Sequence, residues 1–172
     1  RLLTEIARDG GEPGHAFDEI DREVIEIDQL VGDLLASSRL EFSALSTKEV
    51  AADEAARRAI ARAGLDVDAI FAVEPAGSAP RLAADPTLLA RALANLIDNA
   101  RRHGGGVARV LVRASGERVA FEVEDDGPGL APGEEERIFE PFYQGTAGPE
   151  GAPKKGALGL GLSLVGRIAE AH

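Results

Sequence analysis

Apolar residues recur as Phe17, Ile20, Val24, Ile27, Val31 and Leu34, in alternating steps of three and four. That spacing predicts a helix with one narrow packing seam, extending to about Leu40. A stripe this narrow suits helix-against-helix packing, and a single short hairpin cannot bury it well. The pattern therefore points to association with a second copy, although a helix docked on its own domain would also satisfy it. Upstream, Leu2, Leu3 and Ile6 mark the last turns of an earlier helix over residues 1–8. Asp9-Gly10-Gly11-Glu12-Pro13-Gly14 then supplies dense turn chemistry, which puts His15 in an exposed hairpin turn.

Beyond Leu40 the periodicity changes. A short Lys48-Glu49-Val50 segment leads into an Ala/Arg-rich helix from about Ala51 to Ala63, closed by Gly64. Residues 68–73 and 81–83 read as short strands. Asp85-Pro86 has the cap-then-proline form of a helix start, and that helix runs to about His103. Within it Leu89, Leu93, Leu96 and Ala100 form an apolar stripe, beside a polar one of Arg91, Asn95, Asn99 and Arg102. Residues 107–114 and 118–124 are strand-like and joined by Ser115-Gly116-Glu117, a hairpin signal. From Asp126 to Gly156 periodicity is lost except for the island Ile138-Phe139-Glu140-Pro141-Phe142-Tyr143, as expected of a functional loop or lid. A last helix follows Gly159-Leu160-Gly161.

Composition narrows the function classes. Thirty acidic against nineteen basic residues give a net charge of −11, which opposes attraction to phosphate backbones, so no nucleic-acid partner is expected. The chain has no cysteine, which excludes disulfides and thiolate metal sites. No window approaches the roughly 20 apolar residues that cross a bilayer, so membrane contact is expected only through segments outside this chain. Six Phe, one Tyr and no Trp leave the core to Leu, Ile, Val and Ala.

Three stretches carry candidate chemistry. Asn95 and Asn99 stand at i and i+4, a spacing that costs helix stability unless the carboxamides have work to do. Ligation of a hard cation by amide oxygen is one such task, with Arg102 one turn on to meet phosphate charge; a merely solvated helix face is the other reading. Asp125-Asp126-Gly127-Pro128-Gly129 follows a strand, where glycines let backbone approach a flat ligand and a carboxylate accepts from an exocyclic amine such as that of adenine. An ordinary acidic turn has the same composition. Gly156-Ala157-Leu158-Gly159-Leu160-Gly161 is a glycine-rich loop feeding a helix, an arrangement that favours anions. It lacks the G-x-x-x-x-G-K-[ST] of a P-loop.

In order, Asn95 to His103 (N-L-I-D-N-A-R-R-H), Asp125 to Leu130 (D-D-G-P-G-L), Arg137 to Tyr143 (R-I-F-E-P-F-Y) and Gly159 to Leu164 (G-L-G-L-S-L) resemble the N box, first glycine box, F box and second glycine box of the bacterial sensor histidine kinases. The helix ending L-L-A-S-S-R-L-E is similar to the second helix of that family's dimerisation hairpin, so the resemblance spans residues 16–172. It implies an α+β chain: a two-layer α/β sandwich of the Bergerat ATP-binding type, shared with gyrase and some chaperone ATPases, preceded by a helical hairpin. The boundaries are 1–45 for a partial dimerisation and phosphotransfer hairpin and 46–172 for the catalytic ATP-binding domain, with further strands expected beyond.

By position, the resemblance implies that Asn99 ligates Mg2+ and Asn95 supports the metal or the phosphates. Arg102 and His103 fall at phosphate and ribose contacts. Asp125 receives the adenine amine, Gly127 and Gly129 line the base, and Gly159, Leu160 and Gly161 hold the phosphate-side loop. Phe139 and Phe142 anchor the lid. Lys154 or Lys155, which matches no position of the family's motifs, is a further candidate for the γ-phosphate. The cofactors implied are ATP and Mg2+. The partners implied are a second copy through the hairpin and a response-regulator receiver domain, in the cytoplasmic portion of a membrane-anchored bacterial protein. None of the three histidines, His15, His103 and His172, has the H-E-[LIF]-R-[TS]-P context of the family's phosphoacceptor, so this chain alone is expected to bind ATP without phosphorylating itself. Ala157 stands where the second glycine box has its first glycine. A non-catalytic nucleotide-sensing module on the same fold is the alternative that these departures leave open.

Overall fold

A computed structural model describes residues 13–42, 45–145 and 159–172. The predicted helix over residues 1–8, Lys154, Lys155 and Ala157 lie outside the described residues. The elements in chain order are α1 (Pro13–Phe42), β1 (Lys48–Ala51), α2 (Ala52–Arg62), α3 (Val67–Ile70), β2 (Phe71–Glu74), β3 (Arg81–Ala84), α4 (Pro86–His103), β4 (Arg109–Ser115), β5 (Arg118–Glu124), a 3-10 turn (Arg137–Phe139) and α5 (Gly161–Ala171). β2 and β4 run parallel with Phe71 opposite Val110, and β4 and β5 form an antiparallel hairpin with Val112 opposite Phe121. This three-stranded sheet is therefore mixed. β1 and β3 form a separate antiparallel ribbon, with Val50 opposite Leu82.

One helix organises the rest. Asp85 caps α4 by accepting from the backbone N–H groups of Thr87 (2.9 Å) and Leu88 (3.2 Å), and Pro86 gives up no hydrogen bond at the first helical position. On its sheet side α4 buries Ile97 against Ile60 of α2 and Val110 and Val112 of β4. On another side Leu88 and Ala92 pack with Ala36 of α1 and Leu164 and Ile168 of α5. Because two sides are covered, the buried set is Leu88, Leu89, Ala92, Leu93, Ile97 and Ala100, wider than the predicted single stripe; Leu96 is only half-buried.

Three expectations need correction. Residues 68–70 are not strand: Asp66 accepts from the Asp68 N–H at 3.0 Å and starts the helical turn α3, so the strand begins at Phe71. β4 begins at Arg109, because the backbone up to Gly106 is still occupied in ending α4, with the N–H groups of Gly104 and Gly106 both on the Ala100 carbonyl. His15 falls within α1, not in a hairpin turn. Gly64 closes α2 as predicted, in the left-handed conformation (φ +72°) that glycine adopts without strain.

Candidate functional site

Arg91, Asn95, Asp98, Asn99 and Arg102 share an arc of roughly 100° on α4, at 100° per residue. Several of their partners come from elsewhere in the chain. The Asn95 amide nitrogen donates to Asp33 Oδ1 of α1 (3.1 Å) and to the Gly161 carbonyl (3.2 Å), so it joins the N-box face to the second glycine segment. Arg102 pairs with Asp98 at 2.8 Å and donates to Gln29 Oε1 at 2.8 Å. Asn99 is half-buried one turn beyond Asn95, and His103 is half-buried at the helix end.

The first glycine box folds onto that same end of α4. β5 delivers the chain directly into Asp125, and its Oδ1 accepts from the Gly127 N–H at 2.9 Å. A Cβ on Gly104 would lie 2.3 Å from the Asp125 carboxylate carbon; one on Gly127 would lie 2.7 Å from the Gly104 Cα and 3.2 Å from the His103 carbonyl oxygen. Only hydrogen fits at both places. Asp125 and the amide pair thus share one end of the domain, Asp125 remaining exposed to solvent. Gly129 follows with a positive φ of 73°. Gly104 is a site residue that sequence reasoning missed; its signal was the run Gly104-Gly105-Gly106 directly after the N box.

The second glycine box closes the other flank. Gly159 (φ +68°) lies against the backbone of Phe142 and Tyr143, where a Cβ would come within 2.5 Å of the Tyr143 oxygen, and its carbonyl accepts from the Phe142 N–H at 3.0 Å. Leu160 precedes α5 and offers its first N–H groups no side-chain cap; its carbonyl takes the Ser163 hydroxyl at 2.8 Å. Phe139 lies along Gly166 of α5 and so does hold the segment to the domain, whereas Phe142 is 68% exposed with φ 65°. Glu134, unremarked in the sequence, organises the segment instead. It is 4% exposed and accepts from the Tyr143 hydroxyl (2.8 Å) and the Ala131 N–H (3.0 Å), while the Arg137 guanidinium stacks on the Tyr143 ring at 4.4 Å.

Among the described residues, Tyr143 and Asp85 titrate away from their ordinary values. The Glu134 hydrogen bond, with a smaller contribution from desolvation, pushes the Tyr143 hydroxyl up. At Asp85 burial pushes upward, but backbone donors at Leu88, Thr87 and Ser46 and the Arg39 charge together outweigh it, so the carboxyl is held below the usual aspartate range.

Among the described residues no three His, Asp or Glu side chains gather into a cage for a metal ion. A cation at this site would rest on amide and ligand oxygens, a donor set that fits Mg2+ and to which Asn99 can contribute.

Comparisons with known proteins bear on the family and the fold. The family model described as Histidine kinase-, DNA gyrase B-, and HSP90-like ATPase matches residues 84–172. Alginate biosynthesis sensor protein KinB of Pseudomonas aeruginosa is 33% identical over 89% of the chain, and the chain spans 26% of KinB's length. Among solved structures, full-length ShkA in complex with AMPPNP is 30% identical with a TM-score of 0.63, over 91% of this chain and 34% of that one. The Acinetobacter baumannii histidine kinase AdeS shares the fold with a TM-score of 0.68 at 23% identity, over 98% of this chain and 80% of that one. With the motifs in order and the fold in common, the chain belongs to the histidine kinase-, DNA gyrase B- and HSP90-like ATPases, as an ATP-binding domain of the bacterial sensor histidine kinase type.

Proposed function

We propose that this chain binds Mg-ATP at the end of α4 and that, in the intact protein, it delivers the γ-phosphoryl to a histidine on the dimerisation helix. In that step the bond from the γ-phosphorus to the bridging oxygen breaks, a bond to an imidazole nitrogen forms, and ADP leaves. The phosphoryl then passes to an aspartate of a response-regulator receiver domain. The observation that carries the reading is the packing of Asp125 against Gly104, at the end of the same helix that bears Asn95 and Asn99, with Gly161 bonded to Asn95.

Each residue has a task that its chemistry suits. Asp125 accepts from the adenine amine, and Gly127 and Gly129 let the base lie against backbone. Asn99 supplies an amide oxygen to Mg2+, which neutralises developing phosphate charge. Asn95 supports that side of the site, and Arg102 and His103 reach phosphate and ribose. Gly159, Leu160 and Gly161 present backbone N–H groups at the start of α5. Phosphoryl transfer asks mainly for positioning and charge neutralisation, and those are what these residues offer.

The division at 45/46 separates the dimerisation segment from the catalytic domain. The seam on α1 supports a homodimer: Phe17, Val24, Ile27, Val31 and Leu34 are each about half exposed or more, from 49% to 70%, an apolar stripe that a second copy would cover. A cytoplasmic site for the domain follows from its need for ATP. The deciding experiment is calorimetric titration of the chain with ATP, with and without Mg2+. Tight binding only with the metal, lost in Asn99→Ala while the fold is kept, supports the reading; binding that ignores the metal overturns it.

A further inference from the structure

α1 touches the rest of the molecule along a face that the seam does not use. Gln29, Asp33, Ala36 and Leu40 lie on one side of the helix, roughly opposite Ile20, Val24, Ile27, Val31 and Leu34 at 100° per residue. Ala36 and Leu40 meet Leu88, Ala92, Leu164 and Ile168. Around them the contact is polar. Asp33, 8% exposed, accepts on one oxygen from Arg91 Nε (2.7 Å) and from the Asn95 amide (3.1 Å). The Arg91 guanidinium also donates to the Gln29 carbonyl and lies against Gly32, where a Cβ would be 3.0 Å away. Arg102 reaches Gln29 Oε1, and Arg167 of α5 reaches Ser37 (3.3 Å) and Glu41 (3.0 Å).

The partners of this contact are the point. Asn95 has two amide hydrogens, and both are taken, one by Asp33 and one by the Gly161 carbonyl. Arg102, the cation nearest the end of the polar arc, spends one nitrogen on Gln29 and another on Asp98. A carboxylate seated between a guanidinium and a carboxamide occupies the kind of environment that a phosphate oxygen would seek.

We propose that α1 is an internal competitor of the nucleotide: Asp33 and Gln29 hold Asn95 and Arg102 away from the phosphates, so α1 docking and Mg-ATP binding oppose one another. This inference rests on the nucleotide reading above. It requires that Asn95 and Arg102 exchange partners when ATP binds. Coupling of this kind is reciprocal, so nucleotide must loosen α1 by the same factor by which α1 weakens nucleotide. Because the seam faces the other way, docking leaves it open for a second copy, and a dimer can be held in the docked state.

The test titrates the full 172-residue chain with a non-hydrolysable ATP analogue and Mg2+, comparing wild type, Asp33→Asn and Gln29→Ala. Gln29 is half-buried, so its variant keeps the test alive if Asp33→Asn fails to fold. Hydrogen exchange over residues 29–41 is followed in parallel. The expected result is binding about fivefold tighter or more in each folded variant, with faster exchange in α1 of the wild type once nucleotide is added. If the wild type binds nucleotide but the variants bind no tighter, the competition is overturned while the nucleotide site stands. If none of the three binds, the nucleotide reading falls and takes this inference with it.

Discussion

The two covered sides of α4 are built from different materials. Towards the sheet, Ile97 meets Ile60, Val110 and Val112, none more than 2% exposed. Towards α1 and α5 a smaller apolar patch is ringed by Asp33, Arg91, Asn95 and Arg167. Apolar burial of the first kind is lost only by opening the domain. Polar contacts of the second kind exchange readily with water or another ligand, at small net cost. One side of the helix thus fixes the fold, and the other is suited to change partners.

Substitutions that strike each side separately break or sharpen this contrast. The largest effect is expected from Ile97→Ala, which leaves a cavity in the sheet-side core and costs about 2–5 kcal/mol, read as a drop in the denaturant midpoint of the whole domain. Arg167→Ala, on the other side, removes only half-exposed contacts to Ser37 and Glu41 and should leave that midpoint much less altered; an equal loss would mean that the two sides do not differ.

Gly104→Ala comes next. Its methyl must displace the Asp125 carboxylate, at a cost of about 1–3 kcal/mol, and nucleotide affinity should fall further than stability does. A variant that binds ATP normally would separate Asp125 from the ligand.

Asp85→Ala removes the α4 cap, worth about 1 kcal/mol. The sign with pH follows from the depressed pKa: the unfolded chain holds the proton more tightly, so this contribution is complete above about pH 4 and disappears as pH falls through the folded value. The variant and the wild type should therefore converge in stability in acid, and a gap that persists there would place the effect elsewhere.

The smallest effect is spectroscopic. The chain has one tyrosine and no tryptophan, so ultraviolet titration reads Tyr143 alone. Its raised pKa should move back towards the ordinary tyrosine value in Glu134→Ala, and an unmoved titration would exclude the hydrogen bond as its cause.

The sequence spoke most clearly where local chemistry alone decides structure. Pro86–His103 has a capping carboxylate, a proline and a glycine at its ends, and its predicted limits match the structure. The hairpin around Gly116 was legible for the same reason. Periodicity misled at α3, since four residues carry too little pattern for Asp66 to be seen as a cap rather than part of a loop. Contacts between distant segments were not legible. Nothing local in Asp33 or Gln29 marks them as partners of α4, because the seam residues dominate the pattern of α1 and the docking face is mostly polar. Glu134 was hidden for the opposite reason: it stands in Glu134-Glu135-Glu136, where only tertiary contact singles out the buried one. In the site, the ordered motifs named Asn95, Asn99, Asp125 and the second glycine box, but Gly104 became intelligible only with Asp125 beside it.

The central claim is that Asp125 and the N-box helix serve one purine nucleotide, and comparing ATP with inosine triphosphate tests it most directly. The two differ at the purine amine, which inosine replaces with a carbonyl that would oppose the Asp125 carboxylate. A charge-assisted hydrogen bond of about 1.5–3 kcal/mol predicts that the wild type prefers ATP by roughly ten- to a hundredfold, and that Asp125→Asn removes most of this preference while Mg2+ dependence remains. Equal affinity of the wild type for both nucleotides would contradict the account.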